Sequence, residues 1–276
     1  VTYLNVNSQN IADLKGIEDF TALIELNCRH NKLTTLDVSN NIALTDLRCE
    51  YQWTELDSLD VSQNTALTYL NCSYNNLDTL DVSNCPALTY LNFWNNQIDT
   101  LDVSNCPALT YLNCSWNNLT SLDVSNNTAL TLLWCSGNEL DSLDVSQNAA
   151  LTDLNCAANS LTNLDLSQNT ALTDLVCIEN SLTNLDLSQN TALTNLRCYN
   201  NELTSLDVRN GNNTNFSYFK TTDNPNLFCI DVDDPTWSAA NWTNINSWTS
   251  FNSDCSVLTY VPDDNFENYL EANGMG

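Results

Sequence analysis

The sequence predicts a right-handed solenoid of stacked repeats, with a parallel β-sheet on its concave side, extended or 3₁₀ segments on its convex side and little α-helix. The tripeptide Leu-Asp-Val or Leu-Asp-Leu returns every 21 residues, apart from one interval of 23. A second apolar pattern, LxxLxCxxNxL, precedes most copies of this tripeptide. A fixed period of this length is typical of small units that bury their apolar faces against their neighbours. The tripeptides start at Leu36, Leu59, Leu80, Leu101, Leu122, Leu143, Leu164, Leu185 and Leu206.

Alternation within each repeat predicts two short extended segments. In the first, Leu70 and Cys72 point inward and Asn71 outward, as in a strand. Strands that stack about 4.8 Å apart make a parallel sheet. The segment Leu80-Asp81-Val82 repeats the alternation on the opposite wall. Too few residues lie between the two segments for a helix, so we expect about ten turns of two half-turns each.

An asparagine ends the first half of most repeats and should turn the corner of the coil. Its side-chain amide can pair with backbone groups that the turn leaves without partners. Gln52 replaces it in the repeat with the two extra residues. The asparagines are Asn31, Asn75, Asn96, Asn117, Asn138, Asn159, Asn180 and Asn201.

The pattern LxxLxCxxNxL resembles the leucine-rich repeat, with Cys at a position that is usually Leu. The 21-residue nested form with LDVS or LDLS resembles the bacterial subclass called IRREKO repeats and, more loosely, the internalins. The resemblance covers residues 4–232 and implies a horseshoe or arc-shaped solenoid on a bacterial surface or outside the cell. Leucine-rich repeats bind many unrelated partners, so the resemblance says little about function.

The repeats suggest five segments along the chain. Residues 1–22 form an irregular first repeat, and we expect the true N-terminal cap to be missing. Nine repeats fill residues 23–210, a degenerate tenth follows at 211–232, and 233–256 resembles the C-terminal caps of secreted bacterial repeat proteins. Residues 257–276 resemble a linker or the start of a further module, including an amphipathic helix with Phe266, Tyr269 and Leu270 on one face. The residues expected to cover the last turn are Trp237, Trp242, Trp248 and Phe251.

Composition restricts the classes of partner. The 276 residues include 34 acidic and 7 basic side chains, giving a formal net charge of −27. Such a charge repels phosphate backbones and anionic lipids, which argues against nucleic acid, and it favours cationic partners and metal ions. No apolar run reaches the roughly 18 residues needed to cross a bilayer, so we expect no membrane insertion. We also expect a monomer.

Most of the twelve cysteines occupy a packing position. Because Phe93 takes the same place in one repeat, these thiols should be free and buried rather than ligands of a metal. Cys85 and Cys106 recur one repeat apart on the convex edge and could be bridged or free. Cys229 and Cys255 bracket the cap and are the best disulfide candidate, which implies an oxidising compartment. The cysteines at the packing position are Cys28, Cys49, Cys72, Cys114, Cys135, Cys156, Cys177 and Cys198.

A patch of aromatic and amide side chains on the concave face is the candidate ligand-binding site. The repeat phase places these side chains outside the core, and exposed aromatic patches usually mark recognition sites. Stacked tyrosines could instead serve only to rigidify the sheet. The patch consists of Tyr69, Tyr90, Tyr111, Asn71, Asn92, Asn113, Tyr74, Trp94, Trp116 and Trp134.

A column of aspartates from the Leu-Asp-Val tripeptides should run along the convex wall. Their mutual repulsion must be offset, either by hydrogen bonds from amides and hydroxyls of the same turns or by bridging Ca²⁺ or Na⁺. No calcium-loop motif is present, which favours the hydrogen bonds. Asp231, Asp233 and Asp234 at the cap form a separate, weak calcium candidate; no other cofactor is expected.

No arrangement of catalytic residues stands out. The chain has one histidine, His30, and no Ser-His-Asp, Cys-His, phosphate-loop or HExxH pattern. We therefore expect a non-enzymatic module that recognises a protein or a carbohydrate through the concave aromatic face. The alternatives are a structural spacer in a longer surface protein and, less in keeping with the thin solenoid, a polysaccharide-processing enzyme.

Overall fold

The computed structural model describes residues 1–54 and 56–257, together with Phe266 and Tyr269. These residues form a parallel-strand solenoid with very little helix. Three-residue strands stack into an eleven-stranded sheet in the order β1–β9, β11, β13. The strands of this sheet are β1 (Tyr3–Asn5), β2 (Glu25–Asn27), β3 (Asp46–Arg48), β4 (Tyr69–Asn71), β5 (Tyr90–Asn92), β6 (Tyr111–Asn113), β7 (Leu132–Trp134), β8 (Asp153–Asn155), β9 (Asp174–Val176), β11 (Asn195–Arg197) and β13 (Tyr218–Lys220).

The opposite wall is extended but becomes a regular sheet only near the C-terminus. There, four strands pair in the order β10 (Asn184–Asp186), β12 (Ser205–Asp207), β14 (Cys229–Asp231) and β15 (Ser250–Asn252). Earlier on this wall, one isolated bridge joins Asp37 to Asp60. Within residues 1–54 and 56–257, helical structure consists of α1 (Pro235–Asn241) and 3₁₀ turns at Ile17–Asp19, Asn213–Asn215 and Cys255–Val257.

The core lies between the two walls and consists of aligned leucine, valine and cysteine side chains. In one turn, Leu67, Leu70, Cys72, Leu77 and Val82 all have no exposed surface. Ten free cysteines are buried, and Phe93 fills the cysteine position in its own turn without exposure. Burial raises the pKa of the Cys28, Cys114 and Cys156 thiols to about 12. The inward thiols are thus packing groups, as the sequence predicts.

The corner asparagines hydrogen-bond to the backbone of neighbouring turns. Asn96 donates from Nδ2 to the carbonyls of Phe93 (2.8 Å) and Cys72 (3.2 Å), and its Oδ1 accepts from the N–H of Leu77 at 2.9 Å. Gln52 makes the equivalent hydrogen bond in the repeat with the insertion, where its Oε1 accepts from the N–H of Leu33 at 3.1 Å. Each coil is therefore fastened to the one before it through a buried amide.

A second column of buried asparagines follows the convex strand segments. Asn64 donates from Nδ2 to the carbonyls of Val38 and Asn41 at 3.0 and 2.9 Å. Cys85 and Cys106 stand at the same repeat position, remain free, and direct their thiols toward the equivalent carbonyls at 3.6–3.8 Å. A thiol here replaces an amide within the coil-to-coil contact.

The C-terminal end is covered by aromatic side chains from the cap. Trp242 is 5% exposed and stacks on Phe219, with ring centroids 3.9 Å apart. Trp237 and Phe251 contact Trp242 at 5.9 and 5.8 Å between ring centroids. Trp248, which the sequence analysis assigns to the same role, is 51% exposed, so that assignment is wrong. Its indole is largely in solvent, whereas Trp242 makes the contact with the last coil.

A disulfide joins Cys229 on β14 to Cys255 in the last 3₁₀ turn. Most of the further C-terminal stretch assigned to a linker or new module lies outside the described residues. Of the amphipathic helix expected there, Phe266 and Tyr269 are described as helical and exposed, and Leu270 lies outside.

Candidate functional site

Three tyrosines form a stack at the centre of the concave sheet. The parallel register pairs Tyr69 with Tyr90 and Tyr90 with Tyr111 on β4–β6. Their ring centroids are 4.1 Å apart in both pairs, with interplanar angles of 8° and 14°. Each ring is half-buried. Because Tyr90 has a neighbour on both faces, its exposed surface is the ring edge and the hydroxyl.

Another side chain adjoins the stack at each end. The guanidinium of Arg48 lies over Tyr69, 4.7 Å from the ring centroid, and is held by two hydrogen bonds to Asp46 of 2.9 and 2.8 Å. At the other end, Trp134 lies 6.1 Å from Tyr111 with its ring tilted by 59°. Trp134 Nε1 in turn donates to Asp153 Oδ1 at 2.8 Å. The five stacked side chains Arg48, Tyr69, Tyr90, Tyr111 and Trp134 are called the tyrosine stack below.

Burial within the tyrosine stack raises the pKa of the Tyr69 and Tyr111 hydroxyls, and the neighbouring Tyr90 adds to the rise. Burial also raises the pKa of Asp153, although its bond from Trp134 acts in the opposite direction. The Tyr69 and Tyr111 phenols therefore stay neutral at ordinary pH, and they offer a partner hydrogen-bonding groups rather than charge.

The asparagines beside the tyrosines use their side-chain oxygens to hydrogen-bond the backbone that follows each strand. Asn71, Asn92 and Asn113 each accept at Oδ1 from the backbone N–H two residues later, at 3.1–3.2 Å. Asn92 is 9% exposed and Asn113 is 4% exposed. The expectation that these two amides lie open to a ligand is wrong, because they are turned into the bend that follows each strand. Asn71 stays half-exposed.

Tyr74, Trp94 and Trp116 lie apart from the tyrosine stack, on the loop edge that follows the strands. Tyr74 stacks on Tyr51 with centroids 4.0 Å apart, and Tyr51 stacks on His30 at 4.8 Å. Trp94 meets Tyr74 edge-on at 4.4 Å. We call His30, Tyr51, Tyr74 and Trp94 the loop-edge stack. His30 and Tyr51 are not among the patch residues predicted from the sequence, although both occupy the repeat position two residues after the inward cysteine.

That repeat position has a left-handed backbone. The φ angles of His30, Tyr51, Tyr74 and Trp116 lie between 52° and 59°, in a region that costs most side chains energy. Trp116 is 58% exposed and lies over Gly137, which has the same role in the next turn. A Cβ added to Gly137 would lie 2.9 Å from Trp116 Cδ2, so the absence of a side chain makes room for the indole.

The convex aspartates accept hydrogen bonds from their own turns. Each Oδ1 accepts from the backbone N–H two residues later, at 2.8–3.0 Å. In the Asp123 turn, for example, the side chain and the backbone N–H of Ser125 lower the pKa of the carboxyl. The structure shows the hydrogen-bonding alternative for this column: Asp37, Asp60, Asp81, Asp102, Asp123, Asp144, Asp165, Asp186 and Asp207.

The three cap aspartates take part in different hydrogen bonds. Asp231 Oδ1 accepts from Cys255 N at 2.8 Å, and Asp234 caps α1 by accepting from the N–H groups of Thr236 and Trp237, both at 3.0 Å. The backbone N–H of Asp233 donates to Asn213. Among the described residues, no group of three or more His, Cys, Asp or Glu side chains is placed to hold a metal ion. Nor does any helix in the described ranges have the length and apolarity to cross a membrane.

The stacked 21-residue coils, the corner amides and the exposed strand side chains define a leucine-rich-repeat protein. A family model for the leucine-rich-repeat domain of the endo-beta-N-acetylglucosaminidase EndoS matches residues 2–127. The functional domain of InlJ from Listeria monocytogenes, described as including a cysteine ladder, is 36% identical with a TM-score of 0.68. That match covers 84% of this chain and 59% of the InlJ chain. The chain thus has a leucine-rich-repeat fold and is similar to InlJ and to the repeat domain of EndoS.

Two further solved structures share the fold. The internalin InlF from Listeria monocytogenes is 21% identical, covers 91% of this chain and 86% of its own, and has a TM-score of 0.59. The ectodomain of the plant receptor kinase GASSHO1/SCHENGEN3 from Arabidopsis thaliana, in complex with CASPARIAN STRIP INTEGRITY FACTOR 2, is 19% identical with a TM-score of 0.75. It covers 91% of this chain and 33% of the receptor chain. None of the curated protein sequences compared with the chain matches it.

Proposed function

We propose that the chain is a non-enzymatic recognition module that binds a protein partner through the tyrosine stack. The single observation that carries the proposal is a row of half-exposed Arg, Tyr and Trp side chains, fixed in place by mutual stacking. These three residue types dominate the binding energy of protein interfaces. Side chains that are already ordered before binding lose little conformational entropy when a partner arrives.

The closed faces of the tyrosine stack favour a protein over a carbohydrate at this surface. A sugar ring that packs on an aromatic side chain needs an open ring face. Both faces of Tyr90 are covered by tyrosines, one face of Tyr69 is covered by Arg48, and Trp134 stands beside Tyr111. The remaining edges and hydroxyls suit the backbone and side-chain groups of a protein surface laid across the strands.

A location on a bacterial surface or outside the cell agrees with this proposal. The Cys229–Cys255 disulfide would persist in an oxidising compartment, whereas the ten free cysteines are buried and shielded from oxidation. Internalin-type relatives belong to the surface or secreted class. The receptor kinase ectodomain in complex with CASPARIAN STRIP INTEGRITY FACTOR 2 has the same fold and a bound partner.

The test compares protein and glycan arrays probed with wild type and with the double variant Tyr90→Ala/Tyr111→Ala. We expect the protein signals to fall at least about tenfold in the double variant, which corresponds to about 1.4 kcal/mol of binding free energy. Tyr3→Ala is the matched control, since Tyr3 holds the same strand position on β1 and lies outside the tyrosine stack. It should keep every signal. Unchanged protein signals in the double variant would contradict the proposal and favour a structural spacer in a longer surface protein. Turnover of a glycan would favour a polysaccharide-processing enzyme.

A further inference from the structure

Two of the seven basic residues lie side by side at the C-terminal end of the concave sheet. Arg197 on β11 and Lys220 on β13 are register partners. The residues before them, Leu196 and Phe219, are buried, so both basic side chains lie on the outward face that also carries the tyrosine stack. Like charges opposite one another on neighbouring strands repel. We call Arg197 and Lys220 the basic pair.

Each member of the basic pair is held by an aromatic ring from the other's coil. The Cζ atom of Arg197 lies 4.4 Å from the ring centroid of Tyr218, and Lys220 Nζ lies 3.8 Å from that of Tyr199. Neither side chain has a carboxylate oxygen within 4.0 Å among the described residues. The rings therefore order the two positive groups without supplying a negative charge.

Arg48 provides an internal comparison, because it holds the same strand position and makes the same kind of ring contact. Its guanidinium lies over the first residue of the next strand, Tyr69, at 4.7 Å from the ring centroid. It differs in having a carboxylate beside it. Both oxygens of Asp46 accept from Arg48, at 2.9 Å from Nε and 2.8 Å from Nη2. An arginine over a tyrosine on this sheet thus accommodates a carboxylate bound through two oxygens.

The carboxylate of Asp46 has no counterpart beside Arg197. Asn195 stands at the equivalent position, two residues before the arginine in the strand. Its Oδ1 accepts from the Ser217 hydroxyl at 2.7 Å, and its Nδ2 donates to Thr194 Oγ1 at 3.3 Å. Its polar atoms are engaged there, and an amide brings no negative charge to the basic pair.

The lack of a carboxylate distinguishes Arg197 from the other arginines. Each of the other three has a carboxylate oxygen within 4.0 Å, and these are Arg29, Arg48 and Arg209. The chain has 34 acidic residues, so acidic side chains are not scarce. An arginine fork matches both oxygens of a carboxylate, and a carboxylate from outside the chain would complete at Arg197 the arrangement that Arg48 already has.

The basic pair lies within reach of a partner bound to the tyrosine stack. Strand β11 is the fourth strand after β6 in the sheet, which places Arg197 about 19 Å from the row of Tyr111. A standard interface covers about 800 Å² of each protein, a patch roughly 30 Å across. The net charge of −27 disfavours partners that are acidic throughout, so the surface selects a local acidic group on a partner that is neutral or basic elsewhere.

We propose that the basic pair binds an acidic side chain, Asp or Glu, of the protein that covers the tyrosine stack. The carboxylate accepts two hydrogen bonds from Arg197, as Asp46 does from Arg48, and Lys220 adds a second positive charge. The identity of the occupant rests on the proposed function, whereas the affinity of the basic pair for a carboxylate is measured without any protein partner.

The direct experiment follows the Nε–H signals of the four arginines by NMR in the ¹⁵N-labelled chain, during titration with glutarate at constant ionic strength. The Arg197 signal is assigned as the one missing in Arg197→Lys. We expect glutarate to shift it with a Kd on the order of 10 mM. The Arg48 signal should stay in place, because Asp46 already occupies that guanidinium. Glutaramide, which is neutral and of the same length, should bind at least about tenfold more weakly.

Two reciprocal substitutions test the comparison between the arginines. Asn195→Asp places a carboxylate beside Arg197 and should abolish glutarate binding there while both cations remain. Asp46→Asn removes the carboxylate beside Arg48 and should make the Arg48 signal respond to glutarate. Arg209→Gln is the control, because it removes the same charge from the opposite wall and should leave the Arg197 response unchanged. The undisturbed signals of the other arginines report folding.

A protein array probed with Asn195→Asp connects the basic pair to the partner. Signals that depend on Tyr90 and Tyr111 should fall at least about fivefold in Asn195→Asp and stay unchanged in Arg209→Gln. The two proposals fail separately, since the double tyrosine variant tests the tyrosine stack on the array and the glutarate titration tests the basic pair alone.

Three results would overturn the assignment of the basic pair. The first is an Arg197 signal that glutarate leaves in place, and the second is an Asn195→Asp variant that binds glutarate or the array proteins as wild type does. The third is binding of sulfate at least about tenfold more tightly than glutarate, which would indicate a sulfated glycan rather than an acidic side chain.

Discussion

At the scale of single residues, the polar side chains of this protein mainly hold backbone together. The corner amides, the convex asparagines and the aspartates of the Leu-Asp turns all bond to main-chain groups of their own or a neighbouring coil. A chain that reverses direction several times in 21 residues leaves many backbone groups outside any sheet, and they need these partners. Substituting a corner asparagine therefore tests how much one amide contributes.

Asn117→Ala should destabilise the protein more than Asn75→Ala. Both amides donate to backbone carbonyls, but only Asn117 also accepts from a backbone N–H, that of Ile98 at 3.1 Å. Removing it leaves this buried donor unpaired, which costs about 1–3 kcal/mol beyond the loss shared by both variants. Urea unfolding followed by circular dichroism measures the difference. Equal losses in the two variants would contradict the contribution assigned to the accepted bond.

Gly137→Ala should displace the Trp116 indole. The new Cβ would meet Trp116 Cδ2 at 2.9 Å, and the left-handed backbone at Gly137 adds about 1–2 kcal/mol of strain. We expect an altered indole N–H signal for Trp116 and a lower free energy of unfolding. The control is Ala158→Gly, at the same position one turn later with φ of 51°, which should stabilise slightly and leave Trp116 unmoved. An unchanged Trp116 signal in Gly137→Ala would rule out the contact.

At the scale of elements, each column of equivalent side chains acts as one unit. The strand period alone predicts which residues align, so the alignment of the three tyrosines and of the inward cysteines follows from the sequence, whereas the placement of Arg48 over Tyr69 does not. It does not predict what an aligned side chain does with its polar atoms. Asn92 and Asn113 share the phase of exposed residues, yet each is buried by a bond to the bend after its strand.

The loop-edge stack shows a second limit of prediction from sequence. His30 and Tyr51 occupy the same repeat position as Tyr74, and this shared position was the available signal. Their stacking depends on a left-handed backbone at that position, which the sequence does not suggest for histidine or tyrosine. The exposed position of Trp53 is harder still to foresee, because an insertion breaks the register on which the prediction rests.

The column of buried thiols should make the protein sensitive to alkali. In the unfolded chain a thiol ionises near pH 9, whereas burial raises the pKa of Cys114 in the folded chain to about 12. Between these values the folded state binds more protons, so stability falls as pH rises, by about 1.4 kcal/mol per pH unit for each such thiol. Below about pH 8 the thiols are neutral in both states and the dependence disappears.

Urea unfolding between about pH 8 and 10 tests this linkage. Cys114→Ala should lower the free energy of unfolding at neutral pH. At high pH its free energy of unfolding should fall less steeply with pH than that of wild type, because one ionising thiol has been removed. Val124→Ala, which truncates another fully buried side chain without a titrating group, should lower stability by the same amount at every pH. A decline in Cys114→Ala as steep as that of wild type would mean that the thiol ionises equally in both states.

At the scale of the whole molecule, each coil contacts mainly the coils before and after it. Adjacent strands pair along the sheets, and the corner amides reach only to a neighbouring turn. Stability is then close to a sum of coil stabilities and interfaces between neighbours, and the ends are the weakest points. The repeat period reveals this architecture directly. The way the last coil is covered does not follow from the period, and the prediction that Trp248 helps to cover it is therefore wrong.

Trp242→Ala should unravel the C-terminal coils while the central ones stay folded. Trp242 stacks on Phe219 of β13 and is almost fully buried, so its removal costs about 3–5 kcal/mol at that end. In hydrogen exchange, we expect peptides from β13 and β14 to lose protection and those from β4–β6 to keep it, because the loss spreads only through successive interfaces. Trp248→Ala should leave both regions protected, since that indole is exposed. Uniform loss of protection along the chain would instead mean that the coils unfold as one cooperative unit.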